Sequence, residues 1–582
     1  QNLAQRWHGV AEDKGVVLVT ARSRSARMTM GRRQFGPTFP FVAAYALSVC
    51  VITATADPAD VGTFILFTDI HYDPYFGNAT YAFGSCNRPL SRAQFGCDSP
   101  YALVEAAFSN ASASHPDPDF ILIAGDSVRH HGHLMPDPHT DIGNILNTVR
   151  NLTHRFFPQT DVVHGSLTDP HIKVLQSIGN NDVELDYVLR VPESGSVEQN
   201  PQLLAFASEW AAELNTTQHA DLAHGGYYEK EMMPGLRVIS INTIIYSVNH
   251  CNSGPFPSCI AAEKDEQDPD DPFGQFEWLA ARLAAATAAG AKVWILGHIP
   301  PATASYGDRH PFWKPQYVEA FLGVLQRHGA VVEALLFGHL HSDEWRAGQS
   351  ALRPVGVPIL ISSAITPIYA NNPSYKVVRY DRATKALLDY SVFSTAILPE
   401  GGVRTGESWD RHFTMSDLLA LGGVSAASGL TLEALSTLAE KLQHRDDAWQ
   451  NYYQGDFKVG VSQPPCNISC RKSWSCLLGT VPYDEYLTCL QADPTGKASA
   501  SLPISLSIAV GLIAASAVAI ILAMAMLWRR GGLRCLDRAP RHYIALEHGI
   551  DGEMIELEDL LPMEAESELA HEQRVSIGTN TD

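Results

Sequence analysis

Five short polar strings occur in fixed order along the chain. They are Asp69-Ile-His71, Gly125-Asp126, Gly179-Asn180-Asn181-Asp182, Gly297-His298 and Gly338-His339-Leu-His341. Carboxylate, amide oxygen and imidazole together make a ligand set for divalent cations of intermediate hardness. Residues two apart on an extended chain face the same side. Asp69 with His71, and His339 with His341, are therefore each expected to present two ligands from one strand end. The glycines permit tight turns and close approach of backbone to a metal or substrate. One such string means little, since a lone His is usually a satisfied core or surface residue. Five in order point to one metal-dependent site.

Each string follows an apolar run. The runs are Phe64–Thr68, Phe120–Ala124, Ile172–Ile178, Leu236–Ile241, Lys292–Leu296, Val331–Phe337, Pro358–Ser362 and Tyr375–Tyr380. Runs this short and rich in Val, Ile, Leu and Phe read as buried strands. Amphipathic stretches between them, such as Tyr101–Ala113 and Phe273–Ala289, read as helices. The pattern is α/β, and ligands of such folds gather at the carboxyl ends of strands. No internal repeat is present, and the acidic, proline-broken segment 254–272 reads as solvated loop. From about residue 405 the pattern turns helical, as in Thr414–Leu421 and Leu430–Leu442, and closes in a cysteine cluster.

The ordered set D-x-H, G-D, G-N-x-[DE], G-H, G-H-x-H resembles the calcineurin-like metallophosphoesterases. The resemblance implies an αββα sandwich with a two-metal centre. By position, one metal would take Asp69, His71, Asp126 and His341. The other would take Asp126, Asn180, His298 and His339, with Asp126 bridging. Two such metals activate a water and clamp a phosphoryl group for in-line attack. Zn is the metal favoured by the resemblance, with Mn, Fe and Co also fitting three His and mixed oxygen ligands.

His130, four residues after Asp126, resembles the acid sphingomyelinase-like branch. So do Cys466, Cys470, Cys476 and Cys489 after the helical stretch, which that branch would pair as Cys466–Cys470 and Cys476–Cys489. Cys86–Cys97 and Cys251–Cys259 are the simplest pairing of the rest, although sequence alone proves no connectivity. Within the branch, six strings look most like vacuolar endopolyphosphatases. They are Cys97-Asp-Ser-Pro100, Gly125-Asp-Ser-Val-Arg-His130, Ser177-Ile-Gly-Asn-Asn-Asp-Val183, Ser240-Ile-Asn-Thr243, Cys251-Asn-Ser253 and Gly297-His-Ile-Pro-Pro301. The implied reaction is hydrolysis at phosphorus: polyphosphate first, then nucleotide or sphingomyelin-type diesters. A metal-stabilised lumenal receptor or scaffold is the non-enzymatic alternative.

Three departures bear on substrate. The superfamily's usual His is Asn181 here, which can hold a phosphate oxygen but cannot deliver a proton. That leaves His130 as the general-acid candidate, with an imidazole suited to the role. The catalytic strand begins too near the leader for the saposin-like domain of true acid sphingomyelinase. Val-Glu-Leu-Asp follows Asp182, where endopolyphosphatases would carry Pro-His-Asn. A purple acid phosphatase is disfavoured because position 129 is Arg, not the Tyr ligand of G-D-x-x-Y. Arg129, Arg309 and His310 are the candidate substrate cations, since a polyanion hydrolase needs positive charge along its path.

Composition frames the rest. The 582 residues are 45% hydrophobic and 18% charged, with formal net charge -21. That is globular and too acidic for a general nucleic-acid binder. Residues 28–56 read as a signal peptide: Arg32 and Arg33, an apolar core and a small-residue ending. Residues 1–27 fit neither leader nor domain and read as an upstream extension. The catalytic domain is expected over 57–400, a helical, disulfide-bonded C-terminal subdomain over 401–495, and a stalk over 496–501. Leu502–Trp528 carries no charge and is long enough to span a bilayer, and the arginines after it mark the cytoplasmic side. The expected topology is single-pass type I with a cytoplasmic tail, 529–582. Sequons at Asn78, Asn110, Asn151, Asn215 and Asn467 all precede the span. Tyr543 with Leu546, and Glu556 with Leu560 and Leu561, resemble tyrosine-based and acidic dileucine sorting signals that adaptors read. The expected address is a vacuolar, lysosomal or related endomembrane, or else the plasma membrane with the catalytic domain outside.

Overall fold

Apolar side chains that alternate or run unbroken along short extended segments build two sheets in this computed structural model. It describes residues 60–492, apart from 79, 82–85, 87–92, 159–171, 193–198, 255–256, 264–267 and 398–408. The expected leader, stalk, membrane span and sorting signals lie outside the described residues. Among the described residues no helix is long and apolar enough to cross a membrane.

Twelve strands form the two sheets: β1 (Val61–Phe67), β2 (Phe120–Ile123), β3 (Val174–Gln176), β4 (Tyr228–Met233), β5 (Leu236–Ser240), β6 (Lys292–Leu296), β7 (Val332–Phe337), β8 (Glu344–Arg346), β9 (Ile359–Ile361), β10 (Ser374–Asp381), β11 (Leu387–Ser394) and β12 (Asp410–Thr414). One sheet has the order β12-β11-β10-β1-β2-β3 and the other β4-β5-β6-β7-β9-β8. In each, the strands that lead to the polar strings are parallel: β1 with β2 and β3, and β5 with β6, β7 and β9. Their carboxyl ends therefore point the same way within each sheet.

The sheets pack through aromatic rings. Trp294 on β6 is fully buried. It meets Phe64 of β1 at 4.9 Å, Phe120 of β2 at 5.7 Å and Tyr380 of β10 edge-on at 5.1 Å. Its indole N–H donates to the Lys385 carbonyl at 2.9 Å, so the polar tip is satisfied. Helices cover the outer faces. Tyr101–Ser114 stacks Phe108 on Phe67 at 4.3 Å, and Gln275–Ala289 packs Phe276 flat on Tyr246 at 4.6 Å. The result is helix, sheet, sheet, helix, the expected four-layer sandwich.

All eight expected strands are present, Lys292–Leu296 with its expected ends and the others with shifted ones. Ile172–Ile178 shortens to three residues in β3. Strands β4, β8, β11 and β12 were not anticipated. β4, Tyr-Glu-Lys-Glu-Met-Met, is a polar edge strand with no apolar run to betray it. The expected C-terminal helices are Met415–Leu421 and Leu432–Leu442, each capped by the threonine before it, Thr414 and Thr431. Two more helices, Ile468–Gly479 and Tyr483–Gln491, are joined by Cys476–Cys489. The other disulfides are Cys86–Cys97, Cys251–Cys259 and Cys466–Cys470.

The C-terminal helices pack against the sandwich. The Asp343 N–H donates to the Phe457 carbonyl and the Ala347 N–H to that of Leu478. Buried ion pairs sit behind this seam: Lys376 to Asp343 at 3.0 Å and Arg346 to Glu344 at 3.0 Å. Asp456, 4% exposed, accepts from Asn451. Burial, and then the nearby Asp343 charge, push its carboxyl up to about 8.

Two outcomes follow. Trp294→Ala should lower unfolding free energy by about 3–5 kcal/mol; an unchanged denaturation midpoint would show that this ring does not join the sheets. For Asp456, the folded state keeps a proton that the unfolded chain releases, so stability is lost as pH rises through about 8. Asp456→Asn should therefore melt above wild type at pH 8 and close to it near pH 4. A gap that does not grow with pH would refute this.

Candidate metal centre

All seven expected ligands converge. Asp69 and His71 follow β1, Asp126 follows β2, Asn180 follows β3, His298 follows β6, and His339 and His341 follow β7. Three overlapping groups place their ligand atoms within 4.8 Å of one another: His71, His130 and His341; Asp126, His298 and His339; and Asp69, His71 and Asp126. Asp126 lies between the halves, its Oδ2 3.4 Å from His71 Nε2 and 3.1 Å from His298 Nε2. Asp69 Oδ1 lies 3.2 Å from His341 Nε2. Asn180 Oδ1 lies 3.1 Å from His298 Nε2, while its amide nitrogen is tied to Asp186 at 2.7 Å. The amide oxygen is thereby the end turned to the site.

Convergence does not come from strand alternation, as the sequence suggested. Asp69, His71, Asp126, His339 and His341 all have left-handed backbone, with φ between 42° and 75°. Each such residue costs roughly 1–3 kcal/mol and persists only where its surroundings hold it. The ligands are thus turned inward by strained turns just past the strands. Asp182 supplies much of that hold: its carboxylate accepts from the N–H groups of Asp126, Ser127, Val128 and Gly179 at 2.8–3.1 Å. Gly179 is required by contact, since a Cβ there would lie 2.1 Å from Asp126 Oδ1.

The donor chemistry fits divalent metal. His71 Nδ1 lies 2.8 Å from the Val128 carbonyl, and His298 Nδ1 lies 2.7 Å from that of Ala124. A carbonyl only accepts, so both Nδ1 atoms carry the proton and both Nε2 atoms face carboxylate oxygen. His71 Nε2 is buried with no hydrogen-bond partner. A lone pair against a carboxylate is repulsive unless a cation lies between them. Ligand atoms about 2 Å from a shared metal stand roughly 3 Å apart, as these do.

Electrostatics agree. Burial alone would raise Asp69, yet His341 and His298 hold its carboxyl well below the usual range. Burial opposes a charged His298, but the Asp126 carboxylate outweighs it and lifts the imidazole to about 9. Burial and neighbouring imidazoles drop His339 to about 3, while His341 falls to about 4 by burial against the pull of Asp69. His339 and His341 are thus the neutral imidazoles that a metal requires, and His298 would give up its proton on ligation.

His130 lies beside this cluster, its ring stacked on His71 at 4.0 Å. It is not free to ligate. Asp98 accepts from its Nδ1 at 2.9 Å and from its backbone N–H at 2.8 Å, and the Tyr369 hydroxyl lies 3.2 Å from its Nε2. Burial works against its charge, but the Asp98 carboxylate prevails and its pKa is raised. Asp98 itself is held down to about 2, its burial outweighed by His130. Asn181 donates to both oxygens of Asp126, from N at 2.8 Å and from Nδ2 at 2.9 Å.

The cations nominated from sequence are otherwise engaged. Arg129 is fully buried and ion-paired to Asp73 at 2.8 Å, which corrects its assignment to substrate. Arg309 stacks its guanidinium on Trp474 at 4.9 Å. His310 pairs with Asp308 at 3.0 Å. Of the sequon asparagines, Asn78, Asn151, Asn215 and Asn467 are exposed; Asn110 is half-buried and accepts from the Tyr375 hydroxyl at 2.6 Å. Asp98, Asp182, Asp186 and Tyr369 were missed. Asp98 stood in the quoted string Cys97-Asp-Ser-Pro100, and nothing in that string says it reaches His130.

Residues 62–343 match the model of the family described as calcineurin-like phosphoesterase. The chain thus carries a region similar to the calcineurin-like phosphoesterases. It is similar to sphingomyelinase phosphodiesterase D of Dictyostelium discoideum, 28% identical over 68% of this chain and 80% of the relative. It is also similar to human acid sphingomyelinase-like phosphodiesterase 3b, 27% identical over 78% of this chain and 95% of that one. A rat cyclic GMP-AMP phosphodiesterase is 24% identical over 76% and 95% of the two chains. The chain is thus a metal-dependent phosphoester hydrolase, similar to proteins of the acid sphingomyelinase-like branch.

Asp98→Ala should release His130 and cut kcat by about 10²-fold, the usual contribution of a positioned acid, with bound metal unchanged. Full activity in this variant would remove Asp98 from the machinery.

Proposed function

We propose that this protein hydrolyses phosphodiesters by attack of water on phosphorus, with His130 protonating the leaving alcohol. The observation that carries the reading is the Asp98–His130 pair. Asp98 fixes Nδ1 and leaves Nε2, 3.2 Å from the exposed Tyr369 hydroxyl, as the atom that holds the transferable proton. An alkoxide needs such an acid. The metals, held by Asp69, His71, Asp126 and His341 and by Asp126, Asn180, His298 and His339, would supply an activated water and charge neutralisation at the phosphoryl group. Zn suits this donor set. Asn181 keeps the Asp126 carboxylate oriented, and Asp186 keeps the Asn180 oxygen turned inward.

The names of the relatives support diester substrates of nucleotide or sphingomyelin type. Endopolyphosphatase activity is the second reading. It is favoured by Asn181, since a polyphosphate leaving group needs little help from an acid. For location we propose a lumenal catalytic body on a single-pass type I chain in an acidic endomembrane compartment, with the tail read by adaptors. The raised Asp456 carboxyl, whose contribution to stability is lost as pH rises through about 8, is in keeping with such a lumen.

Bis(4-nitrophenyl) phosphate tests the reaction class. Wild type should turn it over, chelation should abolish turnover, added Zn should restore it, and Asp126→Asn should lose at least 10³-fold. Turnover that survives exhaustive chelation would sink the two-metal reading. Shortening of long polyphosphate with no diester turnover would favour the second one.

A further inference from the structure

Lys458 lies outside the matched region, in the segment between the last buried turn of the C-terminal helices and Cys466. The segment is pinned against the metal-ligand loops. The Asp343 N–H donates to the Phe457 carbonyl at 2.9 Å, and the Asn372 side chain donates to the Val459 carbonyl at 2.8 Å. Val459 and Gly460 are consecutive left-handed residues, φ 51° and 84°, so the chain turns sharply just after the lysine. Lys458 Nζ reaches to 3.5 Å from the carbonyl of Leu340, the residue between His339 and His341. Its ammonium feels the charges of Glu344 and Asp69.

An ammonium has three donors. Among the described residues Lys458 has that one long hydrogen bond and a distant contact with the face of the Phe457 ring at 5.5 Å, and no carboxylate stands within ion-pair distance of it. The other cations near the site are all engaged, as shown above for Arg129, Arg309 and His310. Lys458 is also partly open to solvent although the residues on either side of it are buried. Burial lowers it only to about 8, so it stays positive at neutral and acidic pH.

We propose that Lys458 is a specificity-determining residue that binds an anionic group adjacent to the scissile phosphorus, so that the site prefers substrates carrying a second phosphoryl group over those whose neighbouring group is neutral or cationic. This rests on the phosphodiesterase reading for the identity of the scissile bond. The metals would serve the phosphoryl group under attack, and an ammonium with no carboxylate partner beside the His339–His341 loop serves the next one. A quaternary ammonium headgroup at that place would be repelled.

The test uses the full chain with metal loaded. Binding of adenosine 5′-(α,β-methylene)diphosphate, which cannot be cleaved between its phosphates, is measured by calorimetry for wild type, Lys458→Met and Lys458→Arg. Turnover of ATP and of bis(4-nitrophenyl) phosphate is measured beside it. Lys458→Met should weaken analogue binding at least tenfold, Lys458→Arg less than threefold, and kcat/KM should fall at least ten times more for ATP than for the diester. Equal binding by wild type and Lys458→Met would overturn the proposal, as would equal losses on both substrates. Loss of binding in Lys458→Met from a wild type that cleaves neither substrate would instead overturn the phosphodiesterase reading and leave the anion site standing. A fallen melting temperature shared by Met and Arg variants would assign the residue to the fold and overturn its role in specificity.

Discussion

Two carboxylates, Asp69 and Asp126, are buried almost completely within a few ångströms of each other, and most of the site can be understood as what makes that tolerable. Like charges in a dry interior repel, and burial alone would protonate them. Four imidazoles, His71, His298, His339 and His341, surround the pair. Backbone carbonyls fix the protons of His71 and His298 on the far nitrogens. Positive charge is therefore demanded at the centre, and among these imidazoles the carboxylates lift His298 to about 9. The strained turns at five ligands express the same demand in the backbone. The strands end where they do because the next residues must bend inward, and Asp182 gathers four N–H groups to hold the bend around Asp126.

The region beyond residue 343 is part of this arrangement. Asp343 and Glu344 come directly after the last ligand loop, and both are buried in ion pairs. A buried pair contributes little net stability but is costly to break, so it fixes geometry more than it adds strength. Through Asp343 the loop bearing His339 and His341 is bonded to the Phe457 carbonyl. Through Arg309 and Trp474 the loop after His298 leans on the helix Ile468–Gly479. The C-terminal helices therefore form a wall of the site.

Much of this was legible in the sequence because ligands are named by chemistry and order. Asp69, His71, Asp126, Asn180, His298, His339 and His341 each follow an apolar run, and an apolar run of five residues in an α/β chain is hard to mistake. What escaped was everything fixed by contact across the fold. Arg129 stands next to His130, yet adjacency in sequence is not access, and its guanidinium points into the interior towards Asp73. Asp98 is 32 residues from the imidazole it orients. β4 and β12 are polar edge strands, and their pairing is set by the neighbouring strand more than by their own pattern. The left-handed turns at Asp69 and His71 have no neighbouring glycine to announce them.

Asn181 and His130 divide the roles that one imidazole commonly combines. Asn181 donates from its backbone N–H and its side-chain amide to the Asp126 carboxylate, and an amide has no acidic proton to transfer. It stabilises the ligand that both metals would share. His130 is held by Asp98 on one side and stacked on His71, with its remaining nitrogen towards Tyr369. Its pKa is raised chiefly by Asp98, with Asp126 adding to it, while those of His339 and His341 are lowered. His130 on one side and His339 with His341 on the other are thereby pushed in opposite directions, and the proposed reaction, which asks for both bound metal and a proton donor, needs that separation.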